Sequence, residues 1–129
     1  MDILFLIGRI IVGLFYLNSA LNHFRHTDMM AQYAGSKGIP APGAVVIITG
    51  LMLAVGGLTI LTGLFPLVGI ALLVIFLFGT AFLIHNFWTI EDEQTRQMEI
   101  VQFAKDLALA GSLLMFVAID QPWPLSLSL

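Results

Sequence analysis

The sequence predicts an all-α integral membrane protein: an up-down four-helix bundle with a short interfacial helix between spans one and two. Three observations carry that prediction. Hydrophobic residues make up 59% of the 129 residues and charged residues only 10%, against about a quarter charged in ordinary soluble domains. The apolar residues gather into four stretches, residues 3–21, 44–64, 67–84 and 100–119. Each approaches the roughly 20 residues that a helix needs to cross a hydrocarbon core about 30 Å thick. The second and third stretches hold no charge at all. In lipid every backbone N–H and C=O must be paired within its own segment, so each stretch is a helix. The whole chain, residues 1–129, is expected to form one transmembrane domain.

The first span has no basic segment ahead of it, is interrupted by Arg9 and is followed by no clean small-residue cleavage site. It is therefore expected to be a retained helix rather than a cleaved signal. The connection after it is long. Thr27 or Asp28 is placed to cap a short helix in which Met29, Met30 and Tyr33 share a face, and Gly35, Gly38, Pro40 and Pro42 end it. Between spans two and three stands only Phe65-Pro66, which forces an antiparallel hairpin. The third connection is acidic, with Asp92, Glu93, Arg96 and Glu99 at helical i, i+3 and i, i+4 spacings, and is expected to run straight into span four. The segment Gln121-Pro122-Trp123-Pro124 cannot be helical and is expected to set an aromatic ring at the other membrane face.

Gly50, Ala54 and Gly57 on span two and Ala104, Ala108, Gly111 and Ser112 on span four form small-residue stripes. Such stripes let helix backbones approach closely in lipid, so contact between helices two and four is expected, within one chain or between chains. Connections one and three share a side in an up-down bundle, and that side collects Arg25, Lys37, Arg96 and, deeper, Lys105. The positive-inside rule then puts these connections in the cytoplasm and both termini on the outer side.

The same threading collects the unusual polar groups in one leaflet. Span one ends with Asn18, Ser19, Asn22, His23, Arg25 and His26; span three ends with His85, Asn86 and Trp88; span four begins with Gln102, Lys105 and Asp106. At 100° per residue Asn18, Ser19, Asn22, Arg25 and His26 share an arc of about 120° on span one, and Glu99, Gln102, Lys105, Asp106 and Ser112 share a similar one on span four. Polar stripes in membrane helices face protein or water, because a charge at mid-helix costs about 2.5–3.5 kcal/mol on insertion scales. The two stripes are therefore expected to face each other. Lys105 and Asp106 point about 100° apart, so each needs a partner elsewhere. Arg25 or a protonated histidine suits Asp106; an asparagine carbonyl, or the membrane surface, suits Lys105. Trp88, three residues after His85, suggests a stacking and hydrogen-bonding pocket for a ring. Arg9 lies on the opposite leaflet, about half a turn from Asn18, and is expected to reach the surface or pair with Asp120.

Some chemistry is excluded. Without cysteine there is no disulfide, thiolate nucleophile or iron–sulfur cluster. The three histidines lack a ligand pattern for a metal. No phosphate loop, nucleophile elbow or dinucleotide fingerprint appears. With a net charge of −3 and no basic tail, nucleic acid is not an expected partner.

The motifs together resemble the DoxX-like family of small four-span membrane proteins. They run through nearly the whole chain: Gly8-Arg9-Ile10, Gln32-Tyr33, Lys37-Gly38-Ile39-Pro40-Ala41-Pro42, Gly50, Gly56-Gly57-Leu58, His85-Asn86-Phe87-Trp88, and Gln102-Phe103-Ala104-Lys105-Asp106-Leu107-Ala108-Leu109. Two positions depart from the family pattern, which often has a glutamate where this chain has Leu53 and an asparagine where it has Asp106. The resemblance implies an inner-membrane location and a redox-associated role, since relatives resemble a membrane subunit of a thiosulfate:quinone oxidoreductase. The resulting expectation is a subunit of a redox complex that is not itself an enzyme. A quinone is its candidate cofactor, held by His23, His85, Trp88, Lys105 and Asp106 with Asn22, Arg25 and Gln102 nearby. Lipids and further subunits, or a second copy of the chain, are the expected partners. A small solute- or lipid-binding transport bundle and an assembly scaffold are the alternatives.

Overall fold

The computed structural model describes residues 1–128 and, among them, contains helices and no strands. The helices are α1 (Asp2–Arg25), α2 (Thr27–Ser36), α3 (Pro42–Thr62), α4 (Pro66–Leu83) and α5 (Glu93–Phe116), with a single 3-10 turn, Phe87–Thr89, between the last two. Three helices are long and apolar enough to cross a membrane: α1, α3, and α4 taken with the turn after it to Thr89. α5 has the length, but every 18-residue window within it contains Glu99, Lys105 and Asp106, and its charge sets it apart from the other three.

Proline and left-handed residues punctuate the chain. α3 and α4 both open with proline, and the residue before each, Ala41 and Phe65, is left-handed. α3 ends at Gly63, whose φ of +78° is readily adopted only by glycine. Thr27 does not cap α2: its hydroxyl donates back to His23 O at 2.7 Å, tying α2 to the end of α1. Asp92 caps α5, accepting from the Thr95 amide at 2.9 Å. The acidic run does pass straight into span four, as one helix from Glu93 to Phe116, while the start of the third connection breaks into the 3-10 turn.

The four long helices form a row, α1 against α3, α3 against α4, α4 against α5, with α2 laid on α3. Neighbours are antiparallel: Gly13 of α1 meets Gly57 and Leu61 of α3, while Gly50 meets His23 and Phe24. A Cβ on Gly57 would stand 3.0 Å from Gly13 O, so glycine at this crossing is what admits the approach. The α3 stripe therefore packs on α1. It does not pack on α5, where Ala104, Ala108 and Gly111 face outward. Apolar side chains such as Ile11, Leu51, Ile75 and Met115 cover the outside. The largest fully buried side chains are Tyr16, Leu53, Ile60, Leu73 and Leu113.

α1 and α5 do not pack on each other directly. At one end the space between them is filled by Trp123, which is only 3% exposed and meets Phe5 and Phe116 edge-to-face at 5.5 and 6.3 Å. It is buried, not displayed at a membrane face. Arg9 is buried as well. It is 4% exposed, and neither reaches the surface nor pairs with Asp120. Its guanidinium donates to Ile60 O at 3.2 Å, Leu61 O at 3.0 Å and Pro124 O at 2.5 Å. Carbonyls at a helix C-terminus have no intrahelical partner. Arg9 thus caps α3 from a neighbouring helix and fastens the segment that carries Trp123.

Candidate functional site

At the other end, the space between α1 and α5 is open. A cavity of about 220 Å³ lies there, lined by Tyr16, Ser19, Asn22 and His23 of α1, Leu53 of α3, Phe76, Leu77 and Thr80 of α4, then His85, and Lys105 and Asp106 of α5. Of the residues singled out in the sequence, Asn22, His23, His85, Lys105 and Asp106 line this one space. Trp88, Arg25 and Gln102 do not. Leu53 and Asp106 both line it.

A second and larger chamber of about 470 Å³ adjoins the first beneath α2. His23, Met30, Phe76, Thr80 and His85 belong to both. Its remaining walls are almost wholly apolar, from Met29, Ala34, Val45 and Val46 to Ile84, with Tyr33 and Thr49 the polar contributions. One chamber is polar at its far wall and the next is greasy.

The polar wall is built around His85. Its Nδ1 lies 2.6 Å from Glu99 Oε2, so the ring N–H donates there and the carboxylate accepts. Tyr33 donates its hydroxyl to the other oxygen of Glu99 at 2.8 Å, linking α2 to α5. Burial and that carboxylate push the Tyr33 phenol up to about 12. Lys37 donates to Asn86 Oδ1 at 2.7 Å. On its other side, His85 Nε2 is 3.7 Å from Asp106 Oδ2, close but beyond hydrogen-bond length. Asp106 therefore sits by His85, not Arg25. Lys105 binds Gln102 Oε1 at 2.7 Å on its own helix, not an asparagine. His23 donates from Nδ1 to Ser19 O at 2.9 Å, leaving Nε2 as the ring's other nitrogen.

Two polar atoms in this chamber have no hydrogen-bond partner: the Tyr16 hydroxyl and Asp106 Oδ2. Tyr16 is 1% exposed and Asp106 4%. Leaving such groups unpaired costs about 1–3 kcal/mol each, more for a charge. A donor and an acceptor, both buried and both bordering the same empty space, make a site for a molecule that can accept from one and donate to the other.

Trp88 is 55% exposed and stands apart from the cavity. It packs with Phe82, Phe87 and Phe103 at centroid distances of 5.2–6.2 Å. The helix ends at Leu83, so the i, i+3 relation between His85 and Trp88 does not hold and the indole turns outward. Sequence reasoning missed Tyr16; it places Glu99 on the inward polar stripe of span four, but not with His85 and Tyr33 as its partners. Tyr16, Ser19 and His23 lie at i, i+3, i+7, a stripe rotated from the Asn18–Asn22–Arg25 arc, and that spacing was the available signal. Asn18, Arg25 and His26 are exposed.

The sequence model of the DoxX family matches residues 4–86. The chain is also similar to the inner membrane protein YphA of Escherichia coli (strain K12), with 29% identity over 125 residues, covering 97% of this chain and 88% of that one. No solved structure matches the chain.

Proposed function

The chain belongs to the DoxX family, and from that premise we propose an inner-membrane protein of four spans that binds a quinone-type head group as a non-catalytic subunit of a redox complex. α5 is the fourth span in this reading. Its charged groups face the cavity and the surface instead of lipid, which is how an ionisable helix is tolerated in a bilayer. α2 lies at the interface, and the connection carrying Lys37 and the start of α5 carrying Arg96 lie on the cytoplasmic side. The inner-membrane location follows the printed name of the similar Escherichia coli protein.

One observation carries the ligand: the buried, partnerless Tyr16 hydroxyl and Asp106 carboxyl border the same cavity, which continues into an apolar chamber beneath α2. A quinone oxygen accepts from Tyr16, the hydroxyl of the quinol form donates to Asp106, and an isoprenoid tail suits the chamber of about 470 Å³. Electrons come from another subunit, since the chain has no cysteine to carry them. A small solute- or lipid-binding bundle is the second reading. It is favoured by the apolar chamber being the larger of the two, as an acyl chain would need.

The test is equilibrium binding of decylubiquinone to the purified protein in lipid nanodiscs, together with extraction of co-purified lipids. Saturable binding, weakened about tenfold or more in Tyr16→Phe as one buried hydrogen bond is lost, supports the quinone reading. Phospholipid retained in place of quinone supports the second. Binding indifferent to Tyr16, Lys105 and Asp106 rejects the site.

A further inference from the structure

His85 stands between two carboxylates that treat its two nitrogens differently. Nδ1 carries its hydrogen toward Glu99 at 2.6 Å. A neutral imidazole protonated there presents only a lone pair at Nε2. That lone pair lies 3.7 Å from Asp106 Oδ2, a buried oxygen with no other partner. An ionised carboxylate would set lone pair against lone pair. One added proton, on either Nε2 or the carboxyl, turns the opposition into attraction. The distance leaves that proton open to a third group, an oxygen entering the chamber that both residues line. Glu99 cannot easily swing away, because Tyr33 holds its second oxygen at 2.8 Å.

We propose that His85 and Asp106 hold one exchangeable proton between them, with Glu99 as the positioning residue, and that the chamber's ligand is a carrier whose ring oxygen takes or returns that proton as its redox state changes. The proposal rests on the reading of the polar chamber as a head-group site and narrows its ligand. A lipid head group needs hydrogen bonds there but no proton transfer. When a bound quinone receives two electrons from a reductant, each ring oxygen gains one proton. The reductant is dithionite in the test below and an electron-transfer cofactor of another subunit in the membrane. At one oxygen an O–H bond forms as the N–H or carboxyl O–H of the pair breaks. The other oxygen takes its proton from water at the exposed side of the chamber, beside Asn22 and Lys105. The pair is left as carboxylate and neutral imidazole, and water there reloads it. The titratable groups around His85 are Glu99, Lys105 and Asp106 from α5, Tyr33 and Lys37 from α2, and Tyr16 and His23 from α1; α3 and α4 supply none.

Two measurements on nanodisc-embedded protein test this. First, nitrogen NMR of isotope-labelled histidine in the ligand-free protein follows His85, its signal identified by loss in His85→Gln, between about pH 5 and pH 9. The expected result is Nδ1 protonated throughout and an Nε2 signal that moves in Asp106→Asn. A signal blind to Asp106→Asn overturns the shared proton whether or not any ligand binds. Second, decylubiquinone bound at one equivalent is reduced with dithionite and quinol formation is timed. A rate at least tenfold slower in His85→Gln, compared with the site saturated by quinone in both proteins, is expected. Glu99→Gln should shift the pH profile of that rate, which a merely structural role would leave in place. Binding with unchanged rates overturns the proton pair and leaves the head-group site standing. Absence of quinone binding overturns both.

Discussion

Arg9 and Trp123 belong to opposite ends of the chain yet form one fastening, the guanidinium holding Pro124 O while the indole fills the space between Phe5 and Phe116. Hydrogen bonds from a charged donor are worth about 1.5–3 kcal/mol each, and the cluster acts as a unit. Arg9→Gln is therefore expected to lower stability by about 3 kcal/mol. In a Trp88→Phe background, where Trp123 alone emits, its fluorescence should shift to the red as the ring meets water. Unshifted emission would mean that the tail holds its place without Arg9.

The meeting of α1 and α3 depends on glycine. Gly57→Val puts carbon against Gly13 O and Leu17 and is expected to cost about 1–3 kcal/mol through overpacking. Gly111→Val, at an exposed position with nothing near its Cβ, should leave the monomer's thermal stability unchanged. Equal losses in the two variants would contradict the helix order described here.

Stability and binding should part at Tyr16. Its hydroxyl is buried without a partner, so Tyr16→Phe removes an unpaired polar group and is expected to raise thermal stability, by on the order of 1 kcal/mol. The same variant weakens quinone binding. A variant that is both less stable and fully competent to bind would reverse that assignment.

Tyr33 makes a spectroscopic marker of the α2–α5 contact. Its phenol is pushed up to about 12 by burial and by Glu99, from an ordinary value of 10. A raised folded value favours the neutral phenol, so the stability it contributes is complete below pH 10 and is lost as pH rises toward about 12. Tyrosinate absorbance in Tyr16→Phe, which leaves Tyr33 as the one tyrosine, should appear late, and earlier once Glu99→Gln is added. Ionisation near pH 10 in both would show the contact to be absent in solution.

Asp92 gives a signal at the other extreme. The Thr95 hydroxyl and amide hold its carboxylate below the ordinary value of 3.8. A lowered folded value means a cap present above that pH and lost as pH falls through the folded value. Amide exchange at Thr95 and Arg96 should quicken in strong acid, and at all pH values in Asp92→Ala but much less in Asp92→Asn.

The sequence made the helices legible because lipid demands long, nearly uncharged runs and because Pro42 and Pro66 open α3 and α4 and Gly63 ends α3, where apolar periodicity alone sets no boundary. Lys105 and Asp106 drew notice as charges in an apolar run, and their neighbours His85 and Asn22 followed from threading. Three things were not legible. Arg9 is satisfied by backbone carbonyls, which every residue possesses and no side-chain pattern reveals. Tyr16 is one phenol among apolar neighbours in the middle of span one, where a core aromatic is the ordinary reading, so its unpaired place at the cavity is a tertiary fact. Trp88 was placed by a helical spacing that the chain abandons after Leu83.

Trp123 also bears on how the molecule is made. Phe5 and Arg9 lie near the start of α1, Phe116 at the end of α5, and Trp123 follows every helix described here. A ribosome therefore delivers α1 to α5 before the indole emerges. Until then nothing fills the space between α1 and α5 at that end, so a chain stopped short of Trp123 would carry all five helices without the wedge that joins the first to the last.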